Sequence, residues 1–193
     1  MSIDPVLIRH VFDQSFAIFL SKETAALLGN VNERNSCGRL ALYMEGVAKE
    51  NGLSAYFADT EYNRKQDGRV KTILDDDCKI VTINCDLILH SRGTVAAADN
   101  LIAVEMKKSV RPANEKQKDR DRLRALTKAS YDDIWSADGV ARPEHVCGYV
   151  LGAYIEINRI KRSCLVEYYS SGAKIGQRRV SFFSRTTILP DMR

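Results

Sequence analysis

Histidine is scarce in this 193-residue chain, paired cysteine motifs are absent, and no run of eighteen apolar residues occurs. Each lack narrows the chemistry. His10, His90 and His145 share no metal-ligand spacing, which excludes a histidine-built zinc centre. The five cysteines (Cys37, Cys78, Cys85, Cys147 and Cys164) are odd in number and form no CxxC pair, as expected of buried thiols in a reducing cytosol and not of a disulfide framework. No Walker loop, GxSxG elbow or zinc-finger pattern is present. Without a long apolar run or a charged-then-apolar leader, the expectation is a soluble, cytoplasmic protein with no membrane partner. No repeat or low-complexity linker divides the chain, and 45% hydrophobic residues suffice for one domain with a substantial core. A net charge of +4 permits an anionic partner without demanding one.

What the chain does hold is concentrated in residues 80–108, IVTINCDLILHSRGTVAAADNLIAVEMKK. This reads as two apolar strands joined by a polar, Gly-containing connection. Neighbouring side chains alternate across a strand, so Leu101, Ala103, Glu105 and Lys107 share one face, and Ile102, Val104 and Met106 the other. A carboxylate and an ammonium therefore stand together on an otherwise apolar strand. Asp86 is alone among Ile80, Val81, Ile83, Leu87, Ile88 and Leu89. An unpaired buried charge is costly, and a divalent cation between Asp86 and Glu105 removes that cost. The competing reading makes Glu105 and Lys107 a surface pair and Asp86 a turn cap. His90 falls on the Asp86 face by alternation, although a histidine at a strand end is ordinarily a surface residue.

The flanks read as helix and strand. Asp4-Pro5 is an N-cap and first turn, opening an apolar helix that ends near Leu28-Gly29. A second helix runs from about Asn30 to Asn51-Gly52, its inward stripe formed by Cys37, Leu40, Ala41, Met44, Val47 and Ala48. Glu33 heads that stripe four residues before Cys37; Asn30-x-x-Glu33 also reads as a capping box, and both alternatives stay open. Residues 55–64, AYFADTEYNR, form a first strand, with Glu61 and Arg64 at its end, either near the site or on a solvated edge. Asp75-Asp76-Asp77 lacks the Gly and terminal Glu of a calcium loop and reads as a solvated turn. Leu123, Leu126 and Ala129 space a helix whose remainder carries Lys116, Lys118, Arg120, Arg122, Arg124 and Lys128; from 107 to 128, nine Lys and Arg face three Asp and Glu. That excess, beside the candidate site, points to phosphate contact by Lys108, Lys116, Lys118 and Arg120, or else to a solvated face laced by i,i+4 pairs. The last third is strand-rich: VCGYVLGAYIEI over 146–157 has the continuous apolar character of a central strand, followed by CLVEYYS and RRVSFFS around turns at Gly172 and Gly176. Arg178 and Arg179 there could grip a nucleic-acid backbone with Tyr168, Tyr169 or Phe183 near bases, against the alternative of aromatic core packing.

Cys85-Asp86 followed by Glu105-Met106-Lys107 resembles the PD-(D/E)XK nuclease superfamily, with Cys85 where the motif has Pro. The resemblance covers roughly residues 30–160. It implies an α/β, restriction-endonuclease-like αβββαβ core, a central mixed sheet flanked by helices, with extra C-terminal strands. The chain would then be a single domain over 1–193: N-terminal helices 4–51, a catalytic core of about 55–160, and a β-rich part 146–185. It also implies that Asp86, Glu105 and the Met106 carbonyl hold Mg²⁺, with Mn²⁺ substituting, and that Lys107 positions or deprotonates the attacking water. A glutamate on the preceding helix often joins this site in the family, and Glu33 matches it; many relatives also carry a polar or basic residue near the metals on the helix after the motif, for which Gln117 and Lys118 are the candidates here. The expected activity is phosphodiester hydrolysis on nucleic acid, DNA foremost, by a monomer or a homodimer. The alternatives are a catalytically silent module of the same fold that binds nucleic acid or a protein, and a small interaction protein whose basic face docks an acidic partner.

Overall fold

The computed structural model describes residues 3–61, 72–74, 80–82, 85–128 and 147–182. Arg64, Asp75, Asp76, Asp77, Cys78, Ala129, His145 and Phe183, singled out above, lie outside the described residues. The elements in chain order are α1 (Pro5–Leu28), α2 (Glu33–Glu50), β1 (Phe57–Thr60), β2 (Thr72–Leu74), β3 (Ile80–Thr82), β4 (Leu87–His90), β5 (Asn100–Lys108), α3 (Ala113–Thr127), β6 (Leu151–Asn158), β7 (Ser163–Ser170) and β8 (Ala173–Ser181). The fold is α/β. A six-stranded mixed sheet runs β1-β4-β5-β6-β7-β8, and β2 and β3 form a separate hairpin. All neighbours in the large sheet are antiparallel except β5 and β6, which are parallel and joined through α3.

The helix starts follow from local chemistry. Asp4 caps α1 by accepting from the Val6 N–H at 2.9 Å, with Pro5 in the first turn where its missing N–H costs nothing. α2 begins at Glu33, capped by Asn32, whose side chain accepts from the Asn35 N–H. The capping box between Asn30 and Glu33 is therefore not formed; Asn30 is in the left-handed region at φ 68° and cannot serve as that cap. The α2 stripe from Cys37 to Ala48 is buried as its spacing required.

β5 is covered on both faces, which explains its near-continuous apolar sequence. Ile102, Val104 and Met106 join the core built with α1 and α2, whereas Ala103 packs with Leu123, Ala125 and Leu126 of α3, and with Tyr154 and Tyr169. Leu101 departs from strict alternation and sides with Ile102, close to an irregularity in the β4–β5 register at Leu89/His90. Residues 80–90 are not one strand. β3 pairs with β2, and Asp86 precedes β4, its carboxylate taking a β5 N–H that a ladder carbonyl would otherwise accept. The last turn also differs from expectation: it is Ser171-Gly172, both at positive φ, and Gly176 lies within β8 opposite Tyr168. No helix among the described residues is long and apolar enough to cross a membrane.

Candidate functional site

The end of β5 gathers the charged groups. Asp86 Oδ2 accepts from the Met106 N–H at 2.8 Å. Leu87 pairs with Val104, so one further step of the same register sets Asp86 beside Glu105. Glu105 is 0% exposed. Its Oε1 accepts from Arg122 Nη1 of α3 at 2.5 Å, and its Oε2 has no hydrogen-bond partner among the described residues. Burial, then the like charge of Asp86, holds the Glu105 carboxyl well above the usual carboxylate range despite Arg122.

Lys107, one pleat further along the Glu105 face, does not reach into bulk solvent. Its Nζ lies 3.2 Å from Asp119 Oδ2, and its side chain is 17% exposed. Burial disfavours the ammonium, but Asp86, Asp119 and Glu105 outweigh burial and raise its pKa. The group stays protonated at neutral pH. Arg122 Nη1 also lies 3.4 Å from Asp119 Oδ1, so Glu105, Arg122, Asp119 and Lys107 form one chain of alternating charge. Burial raises the Asp119 pKa even against Lys107 and Arg122.

Glu33, freed from capping, reaches β5. Its Oε1 accepts from the Lys108 N–H at 2.9 Å and lies 3.4 Å from Arg111 Nε. It fastens α2 to the strand carrying Glu105 and Lys107. The buried thiol of Cys37 records the convergence: burial first, then Asp86, Glu105 and Glu33, push its pKa well up, while Lys107 opposes them. Four residues singled out from sequence thus act on one neighbouring thiol. Cys85 donates its thiol to the Val104 carbonyl at 3.2 Å, bracing the Asp86 approach against β5.

The basic residues are distributed differently from expectation. Lys116 and Arg120 turn toward carboxylates of the sheet: Lys116 Nζ is 3.3 Å from Glu156, and Arg120 Nε is 2.7 Å from Glu167. Gln117 donates to Asp121, and Lys108 Nζ to Asn30. Arg178 pairs with Asp13, while Lys118 and Arg179 are exposed. β8 lies three strand spacings from β5, roughly 14 Å, so Arg178 and Arg179 stand apart from the site. Tyr168 and Tyr169 are core residues. Glu61 adjoins the site, its N–H donating to the Asp86 carbonyl at 3.3 Å while its carboxylate pairs with Arg34; buried His90 bonds Asp59 at 2.9 Å and is not a surface histidine.

Asp119 and Arg122 were missed because the basic helix read as a solvated face. The signal was available: each lies four residues before an apolar anchor, Leu123 and Leu126, the same offset that turned Glu33 inward.

No group of three His, Cys, Asp or Glu side chains that could hold a metal occurs among the described residues. What the site offers is two adjacent carboxylates, one with a bare, buried oxygen. That donor set fits a hard divalent ion that retains several waters, as Mg²⁺ does. Compared with family models, curated proteins and solved structures, the chain matches none.

Proposed function

We propose that the protein is a divalent-metal-dependent phosphodiester hydrolase with a restriction-endonuclease-like core, acting on nucleic acid, DNA foremost. The observation that carries this reading is the fully buried Glu105, beside Asp86, with the Lys107 ammonium held on the same strand face. The order α2-β1-β4-β5-α3-β6, three antiparallel strands and a helical crossover into a parallel fourth, supports the αβββαβ core.

Asp86, Glu105 and the Met106 carbonyl would hold Mg²⁺ or Mn²⁺. Such an ion supplies charge neutralisation at the phosphate and a bound water acidic enough to attack near neutral pH. The chain's own residues do the rest. Lys107, kept protonated by its acidic neighbours, donates to the attacking water or a phosphate oxygen and stabilises the developing negative charge. A bound ion would offset the charge of Asp86 and Glu105 that raises the Lys107 pKa, so Lys107 either positions the water or takes its proton. Asp119 orients Lys107 through the 3.2 Å contact, and Glu33 fixes the backbone one residue beyond it.

Circular and linear DNA, and RNA, incubated with the protein in Mg²⁺, Mn²⁺, Ca²⁺ or EDTA test the reading. Cleavage in Mg²⁺ or Mn²⁺, absent in EDTA and in Asp86→Ala and Lys107→Ala, is expected. A second reading, a non-cutting module of the same fold, is favoured by the Arg122 side chain that engages Glu105. Binding without cleavage in every metal would establish that alternative. One site cuts one strand at a time, so double-strand breaks require a homodimer or two encounters.

A further inference from the structure

Arg122 has no part in the steps above, yet it makes the shortest ion pair of the site. Arginine and carboxylate favour a bidentate fork, two donors on two oxygens. Here Nη1 meets Oε1 of Glu105 at 2.5 Å, and Oε2 of the same buried carboxylate has no hydrogen-bond partner among the described residues. The contact neutralises Glu105 without saturating it. The guanidinium also has a way out. Its side chain is 23% exposed, and Asp119 on the same helix, 3.4 Å from Nη1, offers a second anchor.

We propose that Arg122 is a placeholder cation: it neutralises Glu105 while no divalent ion is bound, competes with that ion for the Glu105 carboxylate, and is displaced toward Asp119 when the ion enters. The inference rests on the cation-site reading of Asp86 and Glu105. Two cations sharing one carboxylate are negatively linked, so whatever Arg122 contributes to the metal-free protein is subtracted from metal affinity. The displaced guanidinium, planar and always charged, lies beside the site with donors suited to phosphate oxygens.

The test is Mn²⁺ binding by the full chain, read as free Mn²⁺ by electron paramagnetic resonance and by titration calorimetry, with thermal melting in parallel. Arg122→Met is expected to bind Mn²⁺ about 5- to 150-fold more tightly than wild type. Its metal-free Tm should fall, and Mn²⁺ should raise that Tm by more than it raises the wild-type value. Arg122→Lys, which keeps the charge and loses the fork, should give a smaller gain in affinity and carries the comparison if Arg122→Met does not fold. Glu105→Gln should abolish the gain in either background. Wild-type binding with equal or weaker affinity in both Arg122 variants would overturn the placeholder role and leave the cation reading standing. Absence of Mn²⁺ binding by wild type and by both variants would overturn the two together.

Discussion

Replacing Glu105 with Gln removes one negative charge and almost nothing of its shape. Arg122 Nη1, 2.5 Å from Oε1, retains a side-chain oxygen to donate to. A hydrogen bond to a charged group is worth about 1.5–3 kcal/mol against about 1 kcal/mol for a neutral one, so the loss on that contact is about 0.5–2 kcal/mol. Opposing it, burial and Asp86 hold the Glu105 carboxyl well above its ordinary pKa. Each unit of such a shift is an ionisation cost of about 1.4 kcal/mol that the amide does not carry. The two effects oppose each other, so the Tm loss of Glu105→Gln should not exceed that of the contact alone, about 8 °C for about 2 kcal/mol in a chain of this size. Its Mn²⁺ affinity should fall by at least about a hundredfold, since even residues behind a ligand commonly cost 10- to 100-fold. Scanning fluorimetry and titration calorimetry on one preparation measure both. A Tm loss above about 10 °C with Mn²⁺ affinity unchanged would make Glu105 a structural ion-pair partner and refute its role as a ligand.

Lys107→Met should leave Mn²⁺ affinity within a few-fold and lower single-turnover cleavage by about 10²- to 10³-fold, the usual loss for one transition-state donor. Glu167 accepts from Arg120, Lys174 and Tyr169, and these donors outweigh burial and lower its carboxyl pKa below 4.5. A depressed carboxyl pKa stabilises the fold above the unfolded value, and that stability is lost as pH falls through the lower folded value. The urea-midpoint deficit of Glu167→Gln should therefore be full at neutral pH and close as pH falls below about 4. Gly152→Ala would set a Cβ 3.0 Å from Thr127 Cγ2 and 3.1 Å from Tyr169 Cβ, where α3 packs on β6. Overpacking of that kind costs about 1–3 kcal/mol, measurable as a lower urea midpoint with an unchanged slope.

The elements that sequence revealed best are those whose periodicity and caps agree. Asp4-Pro5 and Gly29 bound α1, the Cys37-to-Ala48 stripe defines α2, and the apolar run of 146–157 overlaps β6, which starts later, at Leu151, and runs to Asn158. Glu105 and Lys107 were legible because charge inside an apolar strand demands compensation; Asp86 was legible by its position only, since it precedes β4 instead of lying inside a strand, and bonds the Met106 N–H from there. The helix carrying the other half of that compensation was not legible. Arg120, Arg122 and Lys116 look solvated in one dimension, because their partners Glu167, Glu105 and Glu156 lie on three different strands. Glu33 was ambiguous for a related reason. Asn30 and Asn32 both precede it, and only the left-handed backbone at Asn30 decides that Asn32 is the cap, turning Glu33 toward the Lys108 N–H.

The most direct test of the cation site is an anomalous-scattering map from crystals grown with Mn²⁺. A single strong peak bonded to the carboxylates of Asp86 and Glu105 is expected, with the Arg122 guanidinium moved off Glu105. A map with no peak there, and Arg122 still seated on Glu105 at saturating Mn²⁺, would contradict the cation-site reading.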